Sequence, residues 1–288
     1  IAWLGMARVQ RLLGKKDEAG ETLSRARRLL PDEDPSAAAE SALLCLELGD
    51  LEGATQHIDA ASIRWDGAII PYVRGNIAAN QGHLKSALSY YNEAIDIDPT
   101  HVRARFNRVN IHMASENAQE ALDDANTLLE LAPGLAYAKL RRAEANMLLS
   151  NWEVAKKDLE QIIENAPHHF YALTKLAACH ISMGRPEKAE NPLNEALRLE
   201  PNHADAWHHR GLLYLDWGRE EAAINDFEAA IRCDGGHLDA RLHVAAIHHE
   251  AKRYVEASAA WSGVLSINPE HPVARIRREE CELAIATI

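Results

Sequence analysis

Residues 204–235 read ADAWHHRGLLYLDWGREEAAINDFEAAIRCDG. Ala206, Trp207, Leu213 and Tyr214 recur at the helical period of about 3.6 residues, which predicts a helix with one apolar face. Gly218 breaks the pattern, because glycine takes a positive φ without a Cβ clash and suits a helix end. Arg219-Glu220-Glu221 then opens a second helix, whose apolar face is Ala222, Ala223, Phe227, Ala230 and Ile231. The stretch is one helix–turn–helix unit.

The unit repeats along the whole chain. Ala87, Ala121, Ala155, Ala189, Ala223 and Ala257 lie 34 residues apart, and Ala19 and Ala54 extend the ladder with steps of 35 and 33. Pro99, Pro133, Pro167, Pro201 and Pro269 fall on a second grid of the same step, with Gly235 at the missing point and Pro31 lying 68 residues before Pro99. A proline has no N–H and disfavours helix in the residue before it, so each mark ends the second helix of its unit. The turn glycine recurs at Gly14, Gly49, Gly82, Gly184 and Gly218. A small residue at each alanine mark lets two helix backbones approach closely.

This pattern resembles the tetratricopeptide repeat (TPR) family, whose unit is a helix–turn–helix of about 34 residues. Trp207, Gly211, Tyr214, Gly218, Ala223, Phe227 and Ala230 carry the resemblance in 204–237; Gly75, Ala87, Tyr91, Ala94 and Pro99 carry it in 68–101; Trp3, Gly14, Ala19, Ala26 and Pro31 carry it in the first unit. Unit 102–135 departs with Val109 where glycine or alanine is expected and Leu128 where alanine is usual, and unit 35–67 ends on Trp65-Asp66-Gly67 in place of proline. The resemblance implies an all-α fold, an α-solenoid forming a right-handed superhelix. Its units are 1–34, 35–67, 68–101, 102–135, 136–169, 170–203, 204–237 and 238–271. The tail 272–288 places Val273, Ile276, Glu280 and Leu283 on one face of a further helix, read as the cap of the last repeat or the start of another.

The family resemblance also implies a concave groove lined by the first helix of each unit. The positions that usually point into it hold Tyr72, Asn76 and Asn80; then Arg103, Phe106, Asn107, Asn110 and Met113; then Tyr137, Leu140, Arg141, Glu144 and Met147; then Tyr171, Thr174 and Lys175. Asparagine amides both donate and accept, so a row of them can pair with an extended peptide backbone. Tyrosine and phenylalanine add flat apolar area. Arg103, Arg141 and Lys175 favour a carboxylate. Asn76, Asn107 and Arg141 fall on three of the five positions with which the family's chaperone-tail binders clamp a terminal carboxylate. Tyr72 and Tyr137 stand on the other two, where lysines are expected.

Further along, Asp205, His208, His209, Asp216, Asp239, His243, His249 and Glu250 take the groove positions. They read either as plain surface residues or as a pH-sensitive acidic patch charging near pH ~6.5, for which the expected ligand is basic. No metal site is expected from them, since adjacent His208 and His209 project about 100° apart on a helix.

Net charge is −12, from 31 Lys and Arg against 43 Asp and Glu, which argues against a general grip on nucleic acid. Hydrophobic residues make up 47% and charged residues 26%, as in an ordinary folded protein, and no apolar run reaches the ~20 residues of a membrane span. Cys45, Cys179, Cys233 and Cys281 form no CxxC pair. No phosphate loop, dinucleotide fingerprint, HExxH or GxSxG is present, and Cys179-His180 are adjacent helical residues that face apart.

The expectation is therefore a non-catalytic protein–protein interaction scaffold, with no cofactor, holding a peptide or protein segment in the groove. The alternative is a structural component of a larger assembly, envelope-associated in polysaccharide export or secretion, using the convex face or the array ends. The chain opens Ile1-Ala2-Trp3 inside a helical pattern without an initiator Met, which reads as a fragment or a processed chain. A cytoplasmic location is expected, or a periplasmic one if a signal peptide precedes it.

Overall fold

The computed structural model describes residues 2–29, 34–63 and 67–287. Pro31, Trp65 and Asp66, marks of the first two units, lie outside the described residues. The chain divides into two compact units, 1–141 and 142–288. The first holds the helix pairs α1 (Ala2–Leu12) with α2 (Lys16–Leu29), α3 (Pro35–Glu47) with α4 (Leu51–Ser62), α5 (Ile69–Asn80) with α6 (Leu84–Ile97), and α7 (Val102–Ala114) with α8 (Ala118–Leu131). The division falls within α9 (Ala136–Leu148). The second unit continues with α10 (Trp152–Asn165), α11 (Phe170–Ser182) with α12 (Glu190–Leu199), α13 (Ala204–Asp216) with α14 (Glu220–Cys233), α15 (Leu238–Glu250) with α16 (Tyr254–Ile267), and α17 (Pro272–Ala286).

Each turn mark has a backbone cause. Gly14, Gly49, Gly82, Gly184 and Gly218 have φ between 68° and 78°. Gly82 N donates to Ala79 O and His83 N to Ala78 O, the paired bonds that close a helix end on a left-handed residue. Where glycine is missing, Glu116, Ser150 and Lys252 take the same conformation at φ 58° to 60°. Pro99, Pro133, Pro167, Pro201 and Pro269, and Gly235 on the same grid, each stand two residues beyond the end of α6, α8, α10, α12, α16 and α14 respectively.

The alanine ladder is the seam within each helix pair: Ala19 is 1% exposed, and Ala54, Ala87, Ala121, Ala155, Ala189, Ala223 and Ala257 are 0% exposed. A second ladder, unread in the sequence, runs through the first helices at Ala104, Ala138, Ala172, Ala206, Ala240 and Ala274, all fully buried. Several of these helices are started by histidine: the Nδ1 atoms of His101, His169, His237 and His271 accept from the N–H of Ala104, Ala172, Ala240 and Ala274. This satisfies one of the amides left open at a helix start.

Glycine at the eighth place of a repeat is a packing requirement in two of them. A Cβ on Gly75 would lie 2.5 Å from Tyr91 Cε1, and one on Gly211 would lie 2.6 Å from Phe227 Cε1. Val109, the departure in unit 102–135, is buried and has Ala125, also buried, sixteen residues on where the other two units carry the ring. Small and large have exchanged places, keeping the volume of the seam.

α12 is the exception among the second helices. It has 10 residues, against 14 in α6, α8, α10, α14 and α16, and a 3₁₀ turn at Pro186–Lys188 precedes it. Pro192 has no N–H to offer the carbonyl of Lys188, so the α-helical ladder cannot run back through this point.

α17 corrects the reading of the tail. It packs on α16 through Ala274 and Cys281, both 0% exposed. Val273, Ile276 and Leu283, the apolar face expected to cap the last repeat, are 50%, 57% and 70% exposed. The residues at the places where other first helices meet their own second helix are Arg278, Glu279 and Glu282, and Arg278 pairs with Glu282 at 3.3 Å. This side of the helix is charged, which lowers the cost of leaving it in water.

Candidate functional site

In the first unit, α3, α5 and α7 border a recess of about 520 Å³. Leu43, Leu46 and Glu47 come from α3, Tyr72, Asn76, Ala79 and Asn80 from α5, and Asn107, Asn110 and Ile111 from α7, with Arg11 at one side and Tyr91 behind. Asn76 Oδ1 accepts from Tyr91 OH at 2.8 Å and from Asn107 Nδ2 at 2.7 Å, so both of its lone pairs are used. Asn107 Nδ2 also reaches Tyr91 OH at 3.3 Å. Asn110 Oδ1 accepts from Tyr137 OH. Among the described residues no hydrogen bond is made by Asn76 Nδ2, Asn107 Oδ1 or Asn110 Nδ2. Burial pushes the Tyr91 phenol above its ordinary range, against the pull of its Asn107 bond, so it stays a donor.

The other expected groove residues of this unit fall beside the recess. Phe106 and Tyr137 stack with ring centroids 4.1 Å apart. Arg141 donates to Tyr137 OH at 2.7 Å, and its guanidinium carbon lies 4.8 Å from the centre of that ring. Arg103 is exposed and makes no ion pair among the described residues. Tyr72 is a wall more than a contact: it is 7% exposed and packs on Tyr91 and His101. Asn80 turns back to its own helix, donating to Asn76 O at 2.9 Å.

In the second unit the same cation-over-tyrosine pairing recurs. Lys175 Nζ lies 4.9 Å from the Tyr171 ring centre, and Tyr171 OH donates to Glu144 Oε1 at 2.6 Å. Thr174 leaves the groove set, since it is 0% exposed and donates to Phe170 O of its own helix.

The histidine patch is corrected more heavily. His208 has ring centroids 4.8 Å from His237, 5.5 Å from His243 and 5.6 Å from His209, and His208 and His243 both pack on Phe227, His243 stacking on it at 4.9 Å. Burial lowers His208 to about 3 and His209 to about 4, with the neighbouring positive groups adding to the effect, and burial lowers His243 as well. His208 and His209 are therefore uncharged packing at neutral pH and do not titrate near the ordinary histidine value. His249 stands apart from them: its Nδ1 meets Cys281 Sγ at 3.3 Å and its Nε2 lies 3.6 Å from Glu280. Burial holds the Cys281 thiol above its usual range, and its contact with His249 ties α17 to α15. Asp205 lies 3.8 Å from His237, and Asp239 is exposed. Among the described residues no group of three or more His, Cys, Asp or Glu is placed to hold a metal ion, and no helix is long and apolar enough to cross a membrane.

A set of ion pairs was missed in the sequence. Arg108 with Asp124, Arg142 with Asp158, and Arg210 with Asp226 form two-pronged bonds, each Nε–Oδ2 contact measuring 2.7 Å. Each pair clasps the two helices of one repeat, and its aspartate side chain is at most 7% exposed. The signal was available, since Arg and Asp sixteen residues apart recur on the 34-residue grid.

Paired helices closed by left-handed turns, with first helices bordering a recess, define a helical-repeat binding scaffold. Family models for the tetratricopeptide repeat match residues 72–136, 147–212 and 204–236. The chain belongs to the tetratricopeptide repeat family. It is similar to a chain of the APC/C hetero-tetramer Cut9-Hcn1, with 16% identity and a TM-score of 0.70 over 97% of this chain and 55% of that one. It is also similar to YrrB, described as a TPR protein with an unusual peptide-binding site, with 21% identity and a TM-score of 0.51 over 63% of this chain and 94% of that one. A third likeness is to MamA from Desulfovibrio magneticus, with 17% identity and a TM-score of 0.54 over 60% of this chain and 98% of that one. No curated protein sequence matches the chain. At these identities the likenesses speak to the fold, all-α and of the TPR solenoid class. Proteins of this family are generally non-catalytic scaffolds that bind protein or peptide partners.

Proposed function

We propose that the chain is a non-catalytic adaptor that holds an extended peptide segment of a partner protein in the recess of its first unit. The observation that carries this is the asparagine set. Tyr91 and Asn107 saturate Asn76 Oδ1, which fixes both amides and leaves Asn76 Nδ2, Asn107 Oδ1 and Asn110 Nδ2 open in side chains that line the recess. A donor, an acceptor and a second donor, already oriented, match the alternating carbonyls and N–H groups of an extended backbone. Orientation before binding reduces the entropy lost on binding. The Phe106–Tyr137 stack offers a flat apolar surface, and the free Arg103 favours an acidic side chain on the segment.

The test is capture of partners by the wild-type chain beside an Asn76→Ala, Asn107→Ala, Asn110→Ala triple variant of matched thermal stability. The bound segment is mapped by cross-linking. A partner lost by the triple variant and weakened by Arg103→Glu is the expected result. A partner retained equally by all three proteins removes the recess from the binding site.

A further inference from the structure

The second unit carries a recess of about 530 Å³ at the places on α11 and α13 that correspond to the asparagine recess, and its lining is of the opposite character. Its walls are Ile181, Leu212 and Leu215, with Pro186 of the 3₁₀ turn at the lip. The ninth place of the repeat, Asn76 in α5 and Asn110 in α7, is Leu212 in α13. None of these three aliphatic walls is fully covered by the protein. The one charged group in the lining is Asp216, exposed and without an ion pair among the described residues. The neighbouring Arg185 is engaged by Glu153 at 2.9 Å and does not neutralise it. Glu250 repeats the exposed carboxylate 34 residues on, at the same place on α15.

We propose that this recess receives an aliphatic side chain of a partner segment whose next residue is lysine or arginine, with Asp216 as the counter-charge. The aliphatic walls supply affinity by leaving water, and the lone carboxylate chooses a cation over an anion beside the anchor. The inference rests on reading the chain as a protein-binding scaffold. It uses different atoms from the asparagine recess, and the segment it selects is of opposite charge to the one favoured by Arg103.

The experiment titrates the methyl-labelled full chain with three synthetic peptides: acetyl-Gly-Ser-Leu-Lys-Ser-Gly-amide, and the same peptide with Leu-Glu or Ser-Lys at the centre. The methyl groups of Ile181, Leu212 and Leu215 and the side-chain amides of Asn76, Asn107 and Asn110 are followed together by NMR. The Leu-Lys peptide should shift the three methyl groups saturably. It should bind about threefold to fivefold more tightly than the Leu-Glu peptide, the worth of one exposed charge pair. The Ser-Lys peptide should leave the methyl groups in place. Asp216→Asn, at an exposed position that leaves the fold intact, should make the Leu-Lys and Leu-Glu peptides equal. Unmoved methyl groups, equal binding of the two leucine peptides by the wild type, or a preference that survives Asp216→Asn would each overturn the assignment. Shifts confined to the asparagine amides would also overturn it while leaving the proposed function standing. Methyl shifts with silent asparagine amides would support it and count against the asparagine reading.

Discussion

In the repeat at 68–101 the ring that covers Gly75 belongs to Tyr91; in the repeat at 204–237 the ring that covers Gly211 belongs to Phe227. The backbone problem is the same, since each glycine makes room for an aromatic edge within 2.6 Å of where a Cβ would stand. One oxygen atom separates the outcomes. The Tyr91 hydroxyl reaches out of the seam and orders Asn76 and Asn107, and a polar recess follows. Phe227 has nothing to donate, and the rings of His208 and His243 close over it. A repeat can thus keep its packing and change its surface chemistry through the far end of one buried side chain.

The largest effect expected from this contrast is on stability against pH. His208 and His209 would bind protons near pH ~6.5 in the unfolded chain, whereas burial in the folded chain holds the protons off until about 3 and about 4. As pH falls the unfolded state takes up protons first. The stabilisation is therefore complete above pH ~6.5 and is lost below it, at about 1.4 kcal/mol per pH unit for each histidine. Denaturant midpoints measured between about pH 7.5 and 5 should fall, and His208→Leu should flatten the dependence by about one proton. Equal slopes for variant and wild type would show that the cluster takes up its proton without unfolding.

A smaller effect tests the shared part of the comparison. Gly75→Ala and Gly211→Ala should each cost about 1–3 kcal/mol by overpacking against Tyr91 and Phe227, less up to ~1 kcal/mol from the better helix propensity of alanine. Adding Phe227→Leu to Gly211→Ala reproduces the buried Ala143 and Leu159 found at the same two places in 136–169, and should restore most of the loss in chemical denaturation. If the double variant is no more stable than the single one, the two places do not exchange volume as proposed.

The smallest effect lies in the turns, where the two repeats agree, with glycine at Gly82 and Gly218. Glu116, Ser150 and Lys252 adopt the same left-handed backbone at a cost of roughly 1–2 kcal/mol, partly offset by the greater unfolded freedom of glycine. Glu116→Gly, Ser150→Gly and Lys252→Gly should each raise stability by about 0.5 kcal/mol. A loss of stability in all three would mean that their side chains hold the turns.

Much of the fold was legible because a repeat writes its constraints several times. Ala87 alone means little; eight alanines in phase, all buried, can only be a seam. The recess was legible in part: Asn76, Asn107 and Asn110 were placed together by their positions in the repeat, and they do line one cavity. Other residues at equivalent positions went elsewhere. Thr174 is sealed by its neighbours and Asn80 bonds to its own helix. The face of α17 was misread for a related reason. Its apolar residues stand out by period, yet Ala274 and Cys281 make the contact, because close helix approach selects small side chains and leaves the larger ones outside.

The sequence by itself determined the helix pairs, their turns and their seams, since these follow from local constraints: a positive φ, a missing N–H, a side chain too small to separate two backbones. The tertiary structure decided what each exposed position became. Whether an asparagine amide is spent or open, and whether a histidine carries a proton, depends on residues up to 35 places away, as in the contacts of Asn76 with Asn107 and of His208 with His243. Hydrogen bonding and desolvation act through distance in space, and the linear pattern encodes that distance only once the repeats have packed.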